Sequence, residues 1–206
     1  MNRYSELAFV LLLNKVCSFF RNLLICKNMR QVNFSKTIRG RLYLHSMPGR
    51  YELWSNFISS ATALGVTHIL CLTPDEEIKK KSPYYHQAMR VGEHPFKIYH
   101  FPIKDYGIPS AYEIPGLINI LGEVQRLLTA DQVVLIHCAG GIGRTGLVAA
   151  LLLVYLGYTV EEAIRIIKKA GSSAETDEQK EFLLQLAALE RERQSSNLNK
   201  YDKTRI

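Results

Sequence analysis

The chain has 206 residues, 47% of them hydrophobic, and a formal net charge of +7. This length and apolar content suit a single domain with a sizeable core, together with terminal tails. Its four cysteines, Cys17, Cys26, Cys71 and Cys138, have neither the spacing of a disulfide framework nor that of zinc ligands. The composition therefore excludes a disulfide-stabilised scaffold and predicts a reducing compartment, which we take to be the cytoplasm.

The positive charge is confined to the N-terminal part of the chain. Residues 1–41 contain eight basic residues and one acidic residue, whereas the remaining residues contain 18 of each sign. Because the rest of the chain is neutral, the net charge does not indicate a nucleic-acid surface, and we expect no nucleic-acid partner.

Residues 1–30 combine apolar runs with basic residues at Lys15 and Arg21. A membrane-spanning helix needs about 20 mainly apolar residues, and a central basic residue costs about 2.5–3.5 kcal/mol, so a span is disfavoured. No small-x-small cleavage site follows the run, which disfavours a secretory signal. Three interpretations stay open: a basic helix on a membrane surface, a helix packed on the domain, and a true start at Met29. We assign residues 1–39 to a segment outside the domain core.

From residue 40 onward, predicted strands alternate with predicted helices. Apolar and alternating runs predict strands at residues 41–44, 66–72, 96–101 and 132–136. Helical spacing of apolar residues and terminal glycines predict helices at residues 53–64, 74–81, 83–91, 113–128, 147–156, 159–167 and 176–189. Capping boxes are expected at Thr73–Glu76, Ser110–Glu113, Thr159–Glu162 and Thr176–Gln179. The polar tail at 190–206 is predicted to be disordered.

This alternation predicts an α/β domain over residues 40–189. Its sheet should be mainly parallel, with helices on both faces. Ligands of such sheets bind beyond the carboxyl ends of the strands, and the most distinctive stretch of the sequence, His137–Gly146, follows a predicted strand directly. We therefore expect the functional site at this stretch.

The stretch His137–Gly146 has the sequence HCAGGIGRTG and indicates an anion site. Its three central glycines let the backbone curl so that successive N–H groups point inward. The helix that opens near Arg144 adds its positive end, and the Arg144 guanidinium can bind two oxygens of a tetrahedral anion. Cys138 would lie at the bottom of this positive cup, where a thiol becomes a thiolate.

Cys138, five further residues, Arg144 and Thr145 resemble the Cys-x5-Arg-Ser/Thr loop of the protein tyrosine and dual-specificity phosphatase superfamily. His137 and Gly141 fall on the family's His and Gly positions. Further segments between residues 42 and 184 resemble the small dual-specificity type, above all the cyclin-dependent-kinase-associated phosphatase group; they are residues 42–49, 69–73, 101–109 and 171–179. The resemblance implies the phosphatase-like α/β fold and hydrolysis of phosphoserine, phosphothreonine or phosphotyrosine in proteins, without metal or other cofactor.

The expected reaction has two steps. The Cys138 thiolate displaces the alcohol to give a phosphocysteine, and water then hydrolyses that intermediate. The phosphate should be bound by the loop backbone and guanidinium, that is by Ala139, Gly140, Gly141, Ile142, Gly143 and Arg144. Thr145 could donate its hydroxyl to the thiolate. The resemblance implies a loop aspartate as general acid, and Asp105 in the irregular loop 102–110 is the candidate, with a simple turn residue as the alternative.

The sequence suggests supporting roles for three further residues, His137, Gln179 and Cys71. His137 could hold the loop backbone in shape. Gln179 could orient the hydrolytic water, or it could simply complete a capping box with Thr176. Cys71 could form a reversible disulfide with Cys138, or it could be a small buried apolar residue.

Three functions stay open at the level of the sequence. The leading one is a phosphoprotein phosphatase. A phosphoinositide phosphatase is disfavoured because the variable loop positions Ala139, Gly140 and Ile142 include no lysine, and a non-catalytic phosphate-binding module is the third. Specificity should come from the surrounding loops at residues 48–50, 79–85 and 106–110.

Overall fold

The computed structural model describes residues 29–34 and 38–202, with side chains through residue 193. The helix interpretations of residues 1–30 lie outside this range, except at Met29 and Arg30. The described strands are β1 (Arg30–Val32), β2 (Arg41–His45), β3 (His68–Cys71), β4 (Lys97–His100) and β5 (Val133–His137). The described helices are α1 (Trp54–Ala63), α2 (Asp75–Lys81), α3 (Pro83–Val91), α4 (Ile114–Thr129), α5 (Gly143–Tyr155), α6 (Val160–Lys169) and α7 (Asp177–Asp202).

The five strands form one sheet in the order β1-β2-β5-β3-β4. All neighbouring pairs are parallel except β1 and β2, which are antiparallel. The register pairs His137 at the end of β5 with His45 of β2 and with Cys71 of β3. The carboxyl ends of the three central strands therefore meet where the His137–Gly146 stretch begins. The predicted mainly parallel sheet is confirmed.

Alternating strand residues divide the core into two layers, as the two-residue period of a strand requires. On one face, Leu42, Leu44, Val134 and Ile136 pack against the apolar sides of α4, α5, α6 and α7. On the other face, residues such as Tyr43 and Leu135 pack against α1, and Cys71 packs against α2 and α3. Helices therefore cover both faces of the sheet, as predicted.

Strand β1 was not predicted. Because it belongs to the sheet, the domain begins before residue 40, where the sequence analysis placed its start. Arg30–Val32 pairs with β2, and Met29 and Val32 are 8% and 1% exposed within the core. Three residues that include Arg30 and Gln31 are too short and too polar to give a strand pattern in the sequence. Their conformation is stabilised by pairing with β2 and by burial of the two flanking apolar side chains.

The capping predictions had mixed outcomes. Thr159 and Glu162 form the expected reciprocal capping box at α6. The box at Thr73 is wrong, because α2 begins after Pro74 without a side-chain cap and the Thr73 hydroxyl is buried without a partner among the described residues. The carboxylate of Glu113 accepts hydrogen bonds from Ser110, but α4 begins only at Ile114 and has no side-chain cap.

The final helix is longer than expected. Helix α7 runs to Asp202, so its predicted end at Leu189 is wrong. The tail that was predicted to be disordered is helical from residue 190 through Asp202. Charged and amide side chains at residues 190–202 make the segment polar without excluding helix, since glutamate, glutamine, lysine and arginine all have high helix propensity.

Candidate active site

The turn between β5 and α5, residues 138–144, is called the cysteine loop here. Gly141 has a φ of +73°, and a Cβ at this position would lie 2.4 Å from the His45 carbonyl oxygen. At the start of α5, a Cβ on Gly146 would lie 2.4 Å from the backbone of Ser173. Both positions therefore require glycine, the first for its left-handed conformation and the second for close approach of the α6–α7 connection.

Cys138 lies at the base of the loop and is 3% exposed. Its Sγ accepts a hydrogen bond from the Gly141 N–H at 3.2 Å. Helix α5 begins at Gly143, so the positive end of a long helix lies directly beyond the loop. A backbone donor and the positive end of a helix therefore both lie next to the sulfur.

Arg144 is held from several sides in a buried position, with 2% exposure. Its Nη1 donates to Glu77 Oε2 at 2.9 Å and to the Ile103 carbonyl at 3.0 Å. Its Nη2 donates to Glu77 Oε1 at 3.2 Å and to Asp105 Oδ1 at 2.8 Å. Burial acts to lower the pKa of Arg144, but hydrogen bonding to Glu77 and the nearby negative charges outweigh it and raise that pKa. The guanidinium is therefore a fixed, permanent cation.

Asp105 lies at the same site, as the sequence predicted. Its carboxylate is about half exposed, at 49%, while it binds the buried Arg144. Asp105, Cys138 and Arg144 line one cavity of about 340 Å³, together with Arg50, Lys81 and Tyr106 from the surrounding loops. A partly exposed acid at the mouth of an anion pocket can reach a leaving group without being buried itself.

His137 contacts the cysteine loop in the expected way. Its Nδ1 lies 3.3 Å from the Cys138 carbonyl oxygen and its Nε2 lies 2.9 Å from the Tyr85 hydroxyl. Burial lowers the pKa of His137 to about 3, so the ring is neutral. Since a carbonyl only accepts, Nδ1 carries the proton and Tyr85 donates to Nε2.

Both ends of the Gln179 side-chain amide bind protein backbone. Its side-chain oxygen accepts from the Glu175 N–H at 2.9 Å, and its side-chain nitrogen donates to the Gly107 carbonyl at 3.0 Å. Its own N–H bonds the Thr176 hydroxyl at 3.1 Å, which is one half of the expected capping box. Gln179 therefore ties the start of α7 to the loop that carries Asp105, and its role toward water stays a prediction.

Thr145 and Cys71 are both fully buried. The Thr145 hydroxyl has no hydrogen-bond partner among the described residues, so its bond to the Cys138 sulfur stays a prediction. Burial raises the pKa of the Cys71 thiol to about 12, and both Cys71 and Cys138 are free thiols. Cys71 therefore serves here as a small buried side chain, and the disulfide remains untested.

Three supporting residues were missed by the sequence analysis. Glu77 orients Arg144, Tyr85 orients His137, and the hydroxyl of Ser172 donates to the carbonyls of Gly141 and Ile142 at 3.0 and 2.8 Å. Each comes from an element distant in sequence from the cysteine loop. The acidic first turn of α2 was visible in the sequence, but nothing there indicates that one of its carboxylates faces Arg144.

Two features are absent from residues 29–34 and 38–202. In that part of the chain, no group of three or more His, Cys, Asp or Glu side chains is arranged to hold a metal ion. No helix in the same residues combines the length and the apolar character needed to cross a membrane.

Comparison with known proteins relates this site to one family. A family model described as "Swiss Army Knife protein, DSP-PTPase phosphatase domain" matches residues 32–197. Cyclin-dependent kinase inhibitor 3 from Sus scrofa is 38% identical over 79 residues, which cover 36% of this chain and 36% of that protein. The alignment thus spans only about a third of this curated relative.

Two solved structures are similar over more of their length. A kinase-associated phosphatase, crystallised with its catalytic-site cysteine replaced by serine, superposes with a TM-score of 0.66 at 25% identity, covering 75% of this chain and 90% of that one. Tk-PTP in its active form gives a TM-score of 0.56 at 27% identity, covering 75% and 99%. With a family model that matches most of its length, the chain belongs to the dual-specificity and protein tyrosine phosphatase domain family.

Proposed function

We propose that this chain is a cysteine-dependent phosphatase that hydrolyses phosphomonoesters on proteins. The observation that carries the proposal is the convergence of Cys138, Arg144 and Asp105 on one cavity of about 340 Å³. A nucleophile at the base, a fixed cation and an acid at the mouth are the three groups that transfer of a phosphoryl group to sulfur requires.

In the first step, the Cys138 thiolate attacks phosphorus in line with the ester oxygen. The P–S bond forms as the P–O bond breaks, and Asp105 donates a proton to the departing oxygen. Backbone N–H groups from Ala139 to Arg144 and the Arg144 guanidinium stabilise the equatorial oxygens. The N–H contact to the Cys138 sulfur and the start of α5 at Gly143 support this assignment.

In the second step, water attacks the phosphocysteine. The Asp105 carboxylate accepts a proton from that water, the P–S bond breaks, and inorganic phosphate and the thiolate are released. Thr145 lies directly after Arg144, and its buried hydroxyl has no hydrogen-bond partner among the residues that the structure describes, so it is available to stabilise the departing sulfur.

The contact between Asp105 and Arg144 suggests how substrate prepares the acid. Asp105 Oδ1 accepts a hydrogen bond from Nη2 of Arg144 at 2.8 Å. A bound phosphate dianion competes for the same guanidinium and repels the carboxylate, so substrate should release Asp105 from the ion pair. The released carboxyl can then reach the oxygen of the leaving group, which is the position that general-acid catalysis needs.

The rim of the cavity supports a peptide substrate. Tyr51 and Tyr106 are 64% and 62% exposed, and the Arg50 guanidinium lies 4.5 Å from the centre of the Tyr51 ring. Aromatic and cationic side chains of this kind bind peptide segments around a phosphorylated residue. We infer a phosphoprotein substrate met in the cytoplasm. Contact of residues 1–30 with a membrane surface is a further proposal, which fails if chains beginning at Met1 and at Met29 both stay unbound in liposome sedimentation.

Phosphate release from a panel of phosphopeptides and inositol phosphates tests the proposal. The wild type should hydrolyse phosphopeptides preferentially, and Cys138→Ser should lose all measurable turnover. Asp105→Asn should lose about 10²–10⁴-fold on substrates with poor leaving groups, and less on p-nitrophenyl phosphate. Full activity of Cys138→Ser would overturn the mechanism, preference for inositol phosphates would overturn the substrate class, and phosphopeptide binding without turnover would indicate a binding module.

A further inference from the structure

Arg30 reaches the cysteine loop from the edge strand β1. Its Nη2 donates to the carbonyl of Gly141, and its Nη1 donates to the carbonyl of Gly171 in the α6–α7 connection. Arg30 lies more than a hundred residues before both partners in sequence, and the expected domain boundary excluded it. The guanidinium therefore connects three separate parts of the chain beneath the active site.

The carbonyl that Arg30 binds belongs to the residue whose N–H contacts the nucleophile. Gly141 donates its N–H to Cys138 Sγ at 3.2 Å, while its carbonyl accepts from Ser172 Oγ at 3.0 Å as well as from Arg30. The left-handed conformation of Gly141, with φ at +73°, lets these two groups point in opposite directions. Donors outside the loop therefore hold its carbonyls outward, which leaves its N–H groups facing the cavity.

The charge of Arg30 is not neutralised by a carboxylate. In the part of the chain that the structure describes, Arg30 takes part in none of the salt bridges, whereas Arg144 and Lys81 in the cavity both bind carboxylates. Partial burial lowers the pKa of Arg30, and the negative charge of Cys138 acts in the opposite direction. The guanidinium and the sulfur are linked through a single residue, because Gly141 accepts from Arg30 with its carbonyl and donates to Cys138 with its N–H.

Other ionisable groups also face the Cys138 thiol and have to be separated from Arg30 in any test. The charged side chains lining the cavity are Arg50, Lys81, Asp105, Arg144 and Glu175. Behind the loop, burial lowers the pKa of His45 to about 4 and that of His137 to about 3, and it raises the pKa of Cys71 to about 12, so all three are neutral near pH 7. Among these described residues, Arg30 is the cation that contacts the loop from behind.

We propose that Arg30 is a positioning residue of the active site, which fixes the cysteine loop through the Gly141 carbonyl and stabilises the Cys138 thiolate by its charge. Strand β1 thereby becomes part of the catalytic apparatus. The inference rests on the proposed function for its effect on turnover, but its effect on the thiol does not depend on turnover.

The test uses the full chain with Arg30→Gln, Arg30→Lys and the control Arg39→Gln, which removes an exposed arginine from the same part of the chain. Two quantities are measured against pH: kcat/KM on p-nitrophenyl phosphate, and the rate of iodoacetamide alkylation at Cys138, followed by mass spectrometry. Thermal unfolding of each variant is recorded alongside. The Cys138→Ser variant gives the background for both measurements.

Arg30→Gln should lower kcat/KM about tenfold, less than the roughly 10²–10³-fold cost of deleting a direct oxyanion donor. It should also move the alkylation midpoint to higher pH. Arg30→Lys keeps the charge but lacks the planar group whose two nitrogens each bind one carbonyl, so its alkylation midpoint should stay near that of the wild type while kcat/KM falls. Arg39→Gln should behave as wild type.

The proposal is overturned if Arg30→Gln lowers only the melting temperature and leaves both pH profiles unchanged. If Arg30→Gln does not fold, Arg30→Lys decides between the outcomes. A wild-type kcat/KM in that variant contradicts the positioning role through the Gly141 carbonyl, and a shifted alkylation midpoint contradicts the charge effect. If the wild type shows no turnover on any phosphate ester, the proposed function fails, yet the alkylation profiles still test the interaction between Arg30 and Cys138.

Discussion

Glu77→Ala should weaken both the fold and catalysis, because Glu77 holds the Arg144 guanidinium that we propose binds phosphate. Its carboxylate accepts two hydrogen bonds from Arg144, at 2.9 and 3.2 Å, and the side chains of Arg144 and Glu77 are only 2% and 15% exposed. Removing one partner of a buried ion pair costs about 3–5 kcal/mol, since the remaining charge is left uncompensated.

The expected cost lies at the lower end of that range. Arg144 keeps its bonds to the Ile103 carbonyl and to Asp105, so we expect a loss of about 3 kcal/mol in the free energy of unfolding. For a chain of this size that corresponds to a fall in Tm of about 6–12 °C. Loss of orientation at the phosphate-binding cation should lower kcat/KM by about 10–100-fold.

Denaturant unfolding and p-nitrophenyl phosphate hydrolysis measure the two effects. Glu76→Ala is the matched control, since Glu76 has the same charge in the same helical turn but is exposed. It should change the free energy of unfolding by less than about 0.5 kcal/mol. Equal stability and equal kcat/KM in Glu77→Ala and Glu76→Ala would refute the assigned role of Glu77.

Two other outcomes follow from buried groups near the loop. Tyr85→Phe leaves Nε2 of His137 without a donor, so it should cost about 1–3 kcal/mol of stability and lower kcat, whereas the exposed Tyr84→Phe should do neither; unchanged unfolding and kcat in Tyr85→Phe would contradict this assignment. Burial lowers the pKa of His137 to about 3 and that of His45 to about 4, below the ordinary value of 6.5. The unfolded chain therefore binds more protons than the folded chain below pH 6.5. The free energy of unfolding should keep the full contribution of these two histidines above pH 6.5 and fall as the pH drops from 6.5 toward 4. Chemical denaturation at pH 7 and pH 5 measures the fall, and no decrease at pH 5 would contradict the burial argument.

Part of the site could be predicted from the sequence because its residues are close together along the chain. His137, Cys138, Arg144 and Thr145 are held in one short turn, so their spacing alone indicated an anion-binding nucleophile. The fold class was equally local in origin, because alternating apolar strands and amphipathic helices predict a parallel sheet wherever they occur in that order. Asp105 was predicted because the family resemblance implies a loop aspartate before the cysteine, and Asp105 lies in such a loop directly after a strand.

Other parts depended on long-range contacts. The three-residue strand β1 has no pattern of its own and exists because β2 offers an unpaired edge. Thr73 matched a capping box in sequence, but Pro74 starts the helix and leaves its hydroxyl buried. Thr176 and Gln179 matched a second capping box, of which only the bond from the Gln179 N–H to the Thr176 hydroxyl forms. The Gln179 side-chain amide instead bonds the backbone of Glu175 and Gly107.

The sequence by itself therefore determined the phosphatase family and the α/β fold, and it predicted the groups that a phosphate ester would contact. Only the tertiary structure decided what holds those groups in place: Glu77 on Arg144, Tyr85 on His137, and Arg30 and Ser172 on the Gly141 carbonyl. The physical reason is that a catalytic turn is encoded by neighbouring residues. Its supports are hydrogen-bond partners brought near by folding, and no spacing in the chain reveals them.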